Sequence, residues 1–178
     1  MQMTQVIATV ANGGDILRPR LVHAVMERAT GRLQEQPSVA RGRLSVKPHN
    51  LALIRDSLAG VVSHGTATKA KSTLVSIAGK TGTAQVAALR SGPEKDIPKK
   101  LRDHAWFVSY APVENPRIAV AVLVEHMGHG GSAAAPLAKQ VIEAYIKYAG
   151  EEPETPGPPE ASVSRSLQVA SRGSHGRD

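Results

Sequence analysis

The sequence predicts an α+β fold, an antiparallel sheet flanked by helices. Three observations predict it. Segments 74–87, 104–112 and 117–126 each read as a strand, and no helical pattern separates them. That order suits an antiparallel run, because parallel neighbours need long crossover connections. Helical stripes stand at the start, the middle and the end of the chain, so helices flank the strands rather than alternate with them. The only aromatic residues are Trp106, Phe107, Tyr110, Tyr145 and Tyr148, so the core must be built mainly of Val, Ile, Leu and Ala.

Residues 1–11 read as a helix, with Met3, Val6, Ile7 and Val10 on one face. It starts at Met1 with no N-cap of its own, as a cut helix would. Asn12-Gly13-Gly14 stops it, since glycine accepts the left-handed turn after a helix. Residues 19–29 alternate loosely and predict a strand. Thr30-Gly31 is a turn, and 32–46 is a polar return segment with room for a second short strand. Pro48 to Ser63 is the clearest helix. Leu51, Ile54, Leu58, Val61 and Val62 form its stripe, Pro48 suits its first turn, and His64-Gly65 ends it. Residues 66–71 are a loop or a further helical turn.

Residues 74–87 predict the first strand of the main run. Residues 90–103 are charged and broken by Gly92-Pro93 and Pro98, as an insertion between strands would be. His104 to Pro112 alternates, with Trp106, Val108 and Tyr110 on one side. Asn115-Pro116 turns the chain. Residues 117–126 are apolar at nearly every position, which predicts a central strand covered on both faces. Gly128 to Ser132 is a glycine-rich turn, and Ser132 is the expected N-cap of a helix over 134–149. That helix should bury Leu137, Val141, Ile142, Tyr145 and Ile146. From Gly150 onward Pro, Glu, Ser, Gly and Arg dominate, so the expected organisation is one folded unit at 1–149 and a disordered tail at 150–178.

Bulk properties narrow the function classes. The formal net charge is +7; residues 1–149 carry 19 Lys+Arg against 10 Asp+Glu, and the remainder 3 against 5. A basic body invites an anionic partner or is simply a solvated surface. Nucleic acid is not expected, because stacking aromatics are scarce and no zinc, helix-turn-helix or RNA-binding motif occurs. Cysteine is absent, which excludes disulfides, zinc-thiolate sites and a thiol nucleophile. No apolar run approaches the length of a membrane span, and no basic stretch followed by an apolar one opens the chain as a signal peptide would.

The chemistry concentrates in Ile77-Ala78-Gly79-Lys80-Thr81-Gly82-Thr83-Ala84-Gln85. A buried strand favours branched, bulky side chains. This one is stripped of bulk, as expected where something approaches its backbone closely. On a strand, Lys80 and Gly82 face one way, and Thr81 and Thr83 the other. Gly82 leaves the face beside Lys80 open. At a sheet edge the Thr83 backbone N–H could donate to a bound peptide carbonyl, and an extended substrate could lie alongside by strand addition. Lys80 offers a positive charge, and Thr81 and Thr83 offer hydroxyls to a carboxylate. The set suits an acylated peptide ending in a carboxylate.

Other candidates have plainer readings. His126 and His129, next to Glu125, have metal-pair spacing but run from a strand end into glycines, so no metal is expected. Asp103-His104 reads as a turn opening a strand rather than an acid/base pair. Trp106 reads as core, and Lys95, Lys99, Lys100 and Arg102 as a solvated basic loop.

Lys-Thr-Gly is one of the three active-site motifs of penicillin-binding proteins and class A β-lactamases. IAGKTGTAQ, DHAWFVSYAP and IAVAVLVEHMGHGGSAAAP resemble the C-terminal part of a class B penicillin-binding protein transpeptidase domain, most closely the elongation-specific penicillin-binding protein 2. The likeness extends over about residues 1–149, through ANGGDILRPRLV and VVSHGTA. It implies a β-lactamase/transpeptidase-like fold present only in part, and a serine acyl-transfer chemistry that needs no cofactor. It implies that Lys80 belongs to the third motif and helps set the local field. Thr81 and Thr83 would bind the carboxylate of a donor peptide or a β-lactam, the Thr83 N–H would form half of the oxyanion hole, Gly82 would keep the strand open, and Gln85 would touch the donor peptide. The implied partners are peptidoglycan stem peptides, β-lactams and a membrane-bound cell-wall synthesis complex. The implied location of the parent protein is the bacterial inner membrane, with its domain in the periplasm.

The sequence departs from the family at the nucleophile. An acylated serine needs a lysine one helical turn later to take its proton. No serine here has lysine at +3, and no Ser-x-Asn occurs. In the family those motifs lie upstream, as do the dimerisation region and membrane anchor. The chain is therefore expected to be a C-terminal fragment, or an internal start, that neither cross-links peptidoglycan nor forms a covalent penicillin adduct. A D,D-carboxypeptidase or β-lactamase remnant, or a non-catalytic binding module, are the alternative readings.

Overall fold

The computed structural model describes residues 1–86 and 97–149. The tail expected to be disordered, and the first half of the expected insertion, lie outside the described residues. Helix α1 spans Gln2–Ala11, followed by short strands β1 (Asp15–Leu17), β2 (Ala24–Met26), β3 (Leu33–Glu35) and β4 (Ala40–Arg43). Helix α2 spans Pro48–Ser63. Strands β5 (Ala78–Ala84), β6 (His104–Ala111) and β7 (Ile118–Val124) follow, and α3 (Gly130–Tyr148) closes the fold. The expected antiparallel sheet flanked by helices is present, in the order β5-β6-β7.

Alternation divides β6 between two cores. Ala105, Phe107 and Ala111 pack with Ala134, Ala135, Ala138 and Ile142 of α3, and with Val62 and Ala67. The opposite face carries Tyr110 and Val108 against Ile7 and Ala11 of α1, joined by Leu58 and Ala59 of α2. The central strand is thus β6, and most of the large buried side chains belong to it. Burying Phe107 alone, at 0% exposure, contributes about 1.5–3 kcal/mol relative to leaving it in water.

Several expectations are corrected. Strand β7 stands at one edge of the described sheet instead of its centre, and its residues are half-buried rather than buried. A continuous apolar run has the same appearance whether one neighbour or two flank it. Strand β1 was missed, and the strand expected over 19–29 shrinks to Ala24–Met26. Asn12 joins α1 to β1: its side-chain oxygen accepts from the N–H groups of Gly14 and Asp15 (3.1 and 3.0 Å), and Asp15 then pairs with Arg43 across β1 and β4 at 2.6 Å. The Thr30-Gly31 turn does close a hairpin, between β2 and β3, with Gly31 at φ +68°.

The buried face of α3 is also rotated from its expected stripe. Leu137, Val141 and Tyr145 are 43%, 50% and 36% exposed, while Ala134, Ala135 and Ala138 are fully buried beside Ile142. Alanine is the side chain that fits where a helix lies close on a sheet. In α1, similarly, Ile7 and Ala11 are buried while Met3 and Val6 are exposed.

Candidate active site

Strand β5 forms the other edge of the described sheet, and the Lys-Thr-Gly-Thr run lies along it. Lys80 and Gly82 pair with Val108 and Trp106, whereas Thr81 and Thr83 pair with Phe107 and Ala105. Cross-strand partners share a face. Thr81 and Thr83 are therefore on the α3 side, and Lys80 and Gly82 on the other. Sheet neighbours explain part of the missing bulk. A Cβ on Gly79 would come within 2.6 Å of the Phe107 ring, and one on Gly82 within 3.3 Å of the Trp106 Cβ. The expected open face beside Lys80 is thus closely backed by Trp106 at Gly82.

A cleft of about 630 Å³ opens at this edge. Its walls are Lys80, Thr81, Gly82 and Thr83, the Thr66–Lys69 turn, and the first turn of α3 with its preceding residue, His129 to Ser132. Thr66 and Thr81 meet hydroxyl to hydroxyl at 2.9 Å. The Lys80 ammonium donates to the carbonyl oxygen of Thr81 at 2.8 Å. Gln85 follows the end of β5, is exposed, and does not line the cleft.

The lining holds two lysines, Lys69 and Lys80, and no carboxylate. The N-terminus of the 19-residue α3 adds the positive end of its dipole. Both features favour an anion, and the threonine hydroxyls supply neutral donors beside them. Sequence reasoning named the β5 wall but gave no role to Thr66, Lys69 or the start of α3. Those walls are assembled by tertiary packing, and the signal for them was glycine: His64-Gly65-Thr66 and His129-Gly130-Gly131.

Ser132 does not cap α3. The N-cap position is His129, and the Ser132 hydroxyl donates back to the His129 carbonyl at 3.0 Å. His126 stands at φ +57°; its ring lies edge-on to His104 at 4.7 Å, and its backbone N–H donates to His104 Nδ1 at 3.0 Å. No cluster of three or more metal-ligating side chains occurs among the described residues. No helix among them is long and apolar enough to cross a membrane.

Fold and site together define a helix-flanked antiparallel sheet with an anion-receptive cleft along one edge. Residues 1–143 match the family model of the penicillin binding protein transpeptidase domain. The chain belongs to the penicillin-binding protein transpeptidase family. It is 34% identical over 152 residues to the peptidoglycan D,D-transpeptidase MrdA of Haemophilus influenzae, a match covering 82% of this chain and 23% of that protein. PBP2 of Pseudomonas aeruginosa is similar in structure, with 37% identity and a TM-score of 0.62 over 82% of this chain and 30% of that one. Penicillin-binding protein A of Mycobacterium tuberculosis, solved as a penicillin G acyl-enzyme complex, shares 32% identity and a TM-score of 0.62 over 80% of this chain and 31% of that one. The chain thus spans about a quarter to a third of the length of these relatives.

Proposed function

We propose that this chain forms the substrate-binding wall of a peptidoglycan D,D-transpeptidase of the penicillin-binding protein 2 type, which cross-links stem peptides during cell elongation. One observation carries the reading: Lys80, Thr81, Gly82 and Thr83 lie along an edge of the described sheet, facing a cleft with cationic and hydroxyl walls. The stem peptide, or a β-lactam in its place, lies along β5. Its terminal carboxylate accepts from the Thr81 and Thr83 hydroxyls, in the field of Lys80.

The Thr83 N–H supplies half of the oxyanion hole. In a strand, the N–H and C=O groups of residues two apart point to the same side. Lys80 reaches the Thr81 carbonyl, which supports placing the backbone groups of Thr81 and Thr83 on this sheet edge. A donor there gains strength as charge develops on the tetrahedral oxygen. Gln85 touches the donor peptide beyond the cleft proper. The nucleophilic serine and its lysine come from outside this sequence, which holds no Ser-x-x-Lys. Residues 1–149 act as part of one transpeptidase domain. The whole protein sits in the bacterial inner membrane within a cell-wall synthesis complex, with this domain in the periplasm.

Fluorescent penicillin tests the division of labour. The purified chain should bind it reversibly, more weakly after Lys80→Ala, and leave no covalent band on a denaturing gel. A covalent band, or binding indifferent to Lys80, contradicts the proposal.

A further inference from the structure

We infer that Thr66 is a positioning residue: its hydroxyl donates to Thr81 while Thr81 donates to a bound carboxylate, and so favours a carboxylate in the cleft. This rests on the carboxylate-binding reading of β5. The two Oγ1 atoms are 2.9 Å apart across a sequence separation of 15, and either can be the donor. A threonine hydroxyl has one proton and two lone pairs. A carboxylate only accepts. When it takes the Thr81 proton, Thr81 presents a lone pair to Thr66, and Thr66 must donate. A carboxamide can turn its N–H to Thr81 in place of its oxygen, which needs a lone pair on Thr81 and imposes no such direction. The Thr66 hydroxyl therefore completes a two-step chain of donors that ends on an anion, and each bond in such a chain polarises the next.

The backbone holds Thr66 in place from three sides. Gly65 lies against Val61 so closely that a Cβ there would be 2.8 Å from the Val61 Cα. The side chain of Ala67 is fully buried, and its N–H donates to the Val61 carbonyl at 3.0 Å. The first turn of α3 covers the Thr66 carbonyl, where a Cβ on Gly131 would approach within 2.1 Å. Thr66 itself is exposed to the cleft. A backbone fixed this way leaves only the side-chain rotation of Thr66 to be ordered when its hydroxyl bonds to Thr81.

The test is calorimetric titration of the full chain with two probes, N-acetyl-D-alanyl-D-alanine and its C-terminal carboxamide. Wild type should prefer the carboxylate. Thr66→Val and Thr66→Ala should each weaken carboxylate binding about fivefold, the size of one hydrogen bond. Both should leave carboxamide binding unchanged, and Thr66→Ser should restore the preference. Circular dichroism melts confirm that each variant is folded, and two hydroxyl-free variants guard against one failing to fold. Equal losses for both probes, or none for either, overturn the inference while the β5 reading stands. A wild-type chain that does not distinguish the probes overturns the β5 reading, and this inference with it.

Discussion

Gly130 stands so close to Trp106 that a Cβ on it would lie 2.0 Å from the Trp106 carbonyl oxygen and 2.8 Å from that of Gly82. Backbone occupies both places, so no side-chain movement relieves the overlap. The start of α3 is thereby seated on β5 and β6, and the cleft takes its shape from that seat. Gly130→Ala should destabilise the fold by about 1–3 kcal/mol, the range for overpacking. Gly42→Ala, where a Cβ meets nothing within 4 Å, should change stability by less than about 0.5 kcal/mol. Chemical denaturation of both variants beside wild type checks the contrast.

Tyr110 is fully buried, and its hydroxyl has no hydrogen-bond partner among the described residues. An unpaired buried hydroxyl costs free energy that a phenyl ring of the same shape does not. Tyr110→Phe should therefore be neutral or stabilising, by up to about 1–2 kcal/mol. A loss of stability in thermal melts would show that the hydroxyl has a partner.

Phe107 and Ile142 pack against each other's elements in the core between β6 and α3. Both are fully buried. Phe107→Ala should cost about 3–5 kcal/mol and Ile142→Ala about 2–5 kcal/mol, each leaving a cavity that the sheet cannot collapse into. Denaturant midpoints at unchanged slope would read these directly.

Glu114 lies in the turn between β6 and β7, where the Ser76 hydroxyl donates to its carboxylate at 2.6 Å. That bond, then a backbone hydrogen bond, holds the carboxyl below its ordinary 4.5. A depressed folded value adds stability that is full above the unfolded value and is lost as pH falls through the folded one. The same Ser76 oxygen accepts the Val113 N–H at 2.9 Å. Ser76→Ala should lower the melting temperature near neutral pH and flatten its decline below pH 4.5. An unchanged acid slope would mean that Ser76 does not set this carboxylate.

The parts of the fold legible in the sequence are those with local signals. Pro48 and His64-Gly65 bracket α2 as expected: Pro48 lacks an N–H that the first turn does not need, and Gly65 folds back so closely that a Cβ there would lie 2.8 Å from the Val61 Cα. The alternation in HAWFVSYA places Val108 and Tyr110 on one face, as found. The buried face of α3 was legible only at Ile142 and Ile146. Its larger residues Leu137 and Val141 face outward, since beside the close seat at Gly130 and Gly131 only Ala134, Ala135 and Ala138 fit, with Ile142 buried farther along the helix. The site divides the same way. Lys80 to Thr83 carry a motif on one strand, whereas Thr66 and Lys69 reach the cleft only after α2 and α3 have packed.

The most direct test of the β5 reading is a heteronuclear NMR titration of the isotope-labelled chain with N-acetyl-D-alanyl-D-alanine. Saturable shift changes should concentrate at the amides of Lys80 to Thr83, at Thr66 and at Gly131, and be much smaller with the C-terminal carboxamide. Changes centred elsewhere, such as on the β2–β3 hairpin, or equal for the two ligands, would contradict the β5 reading.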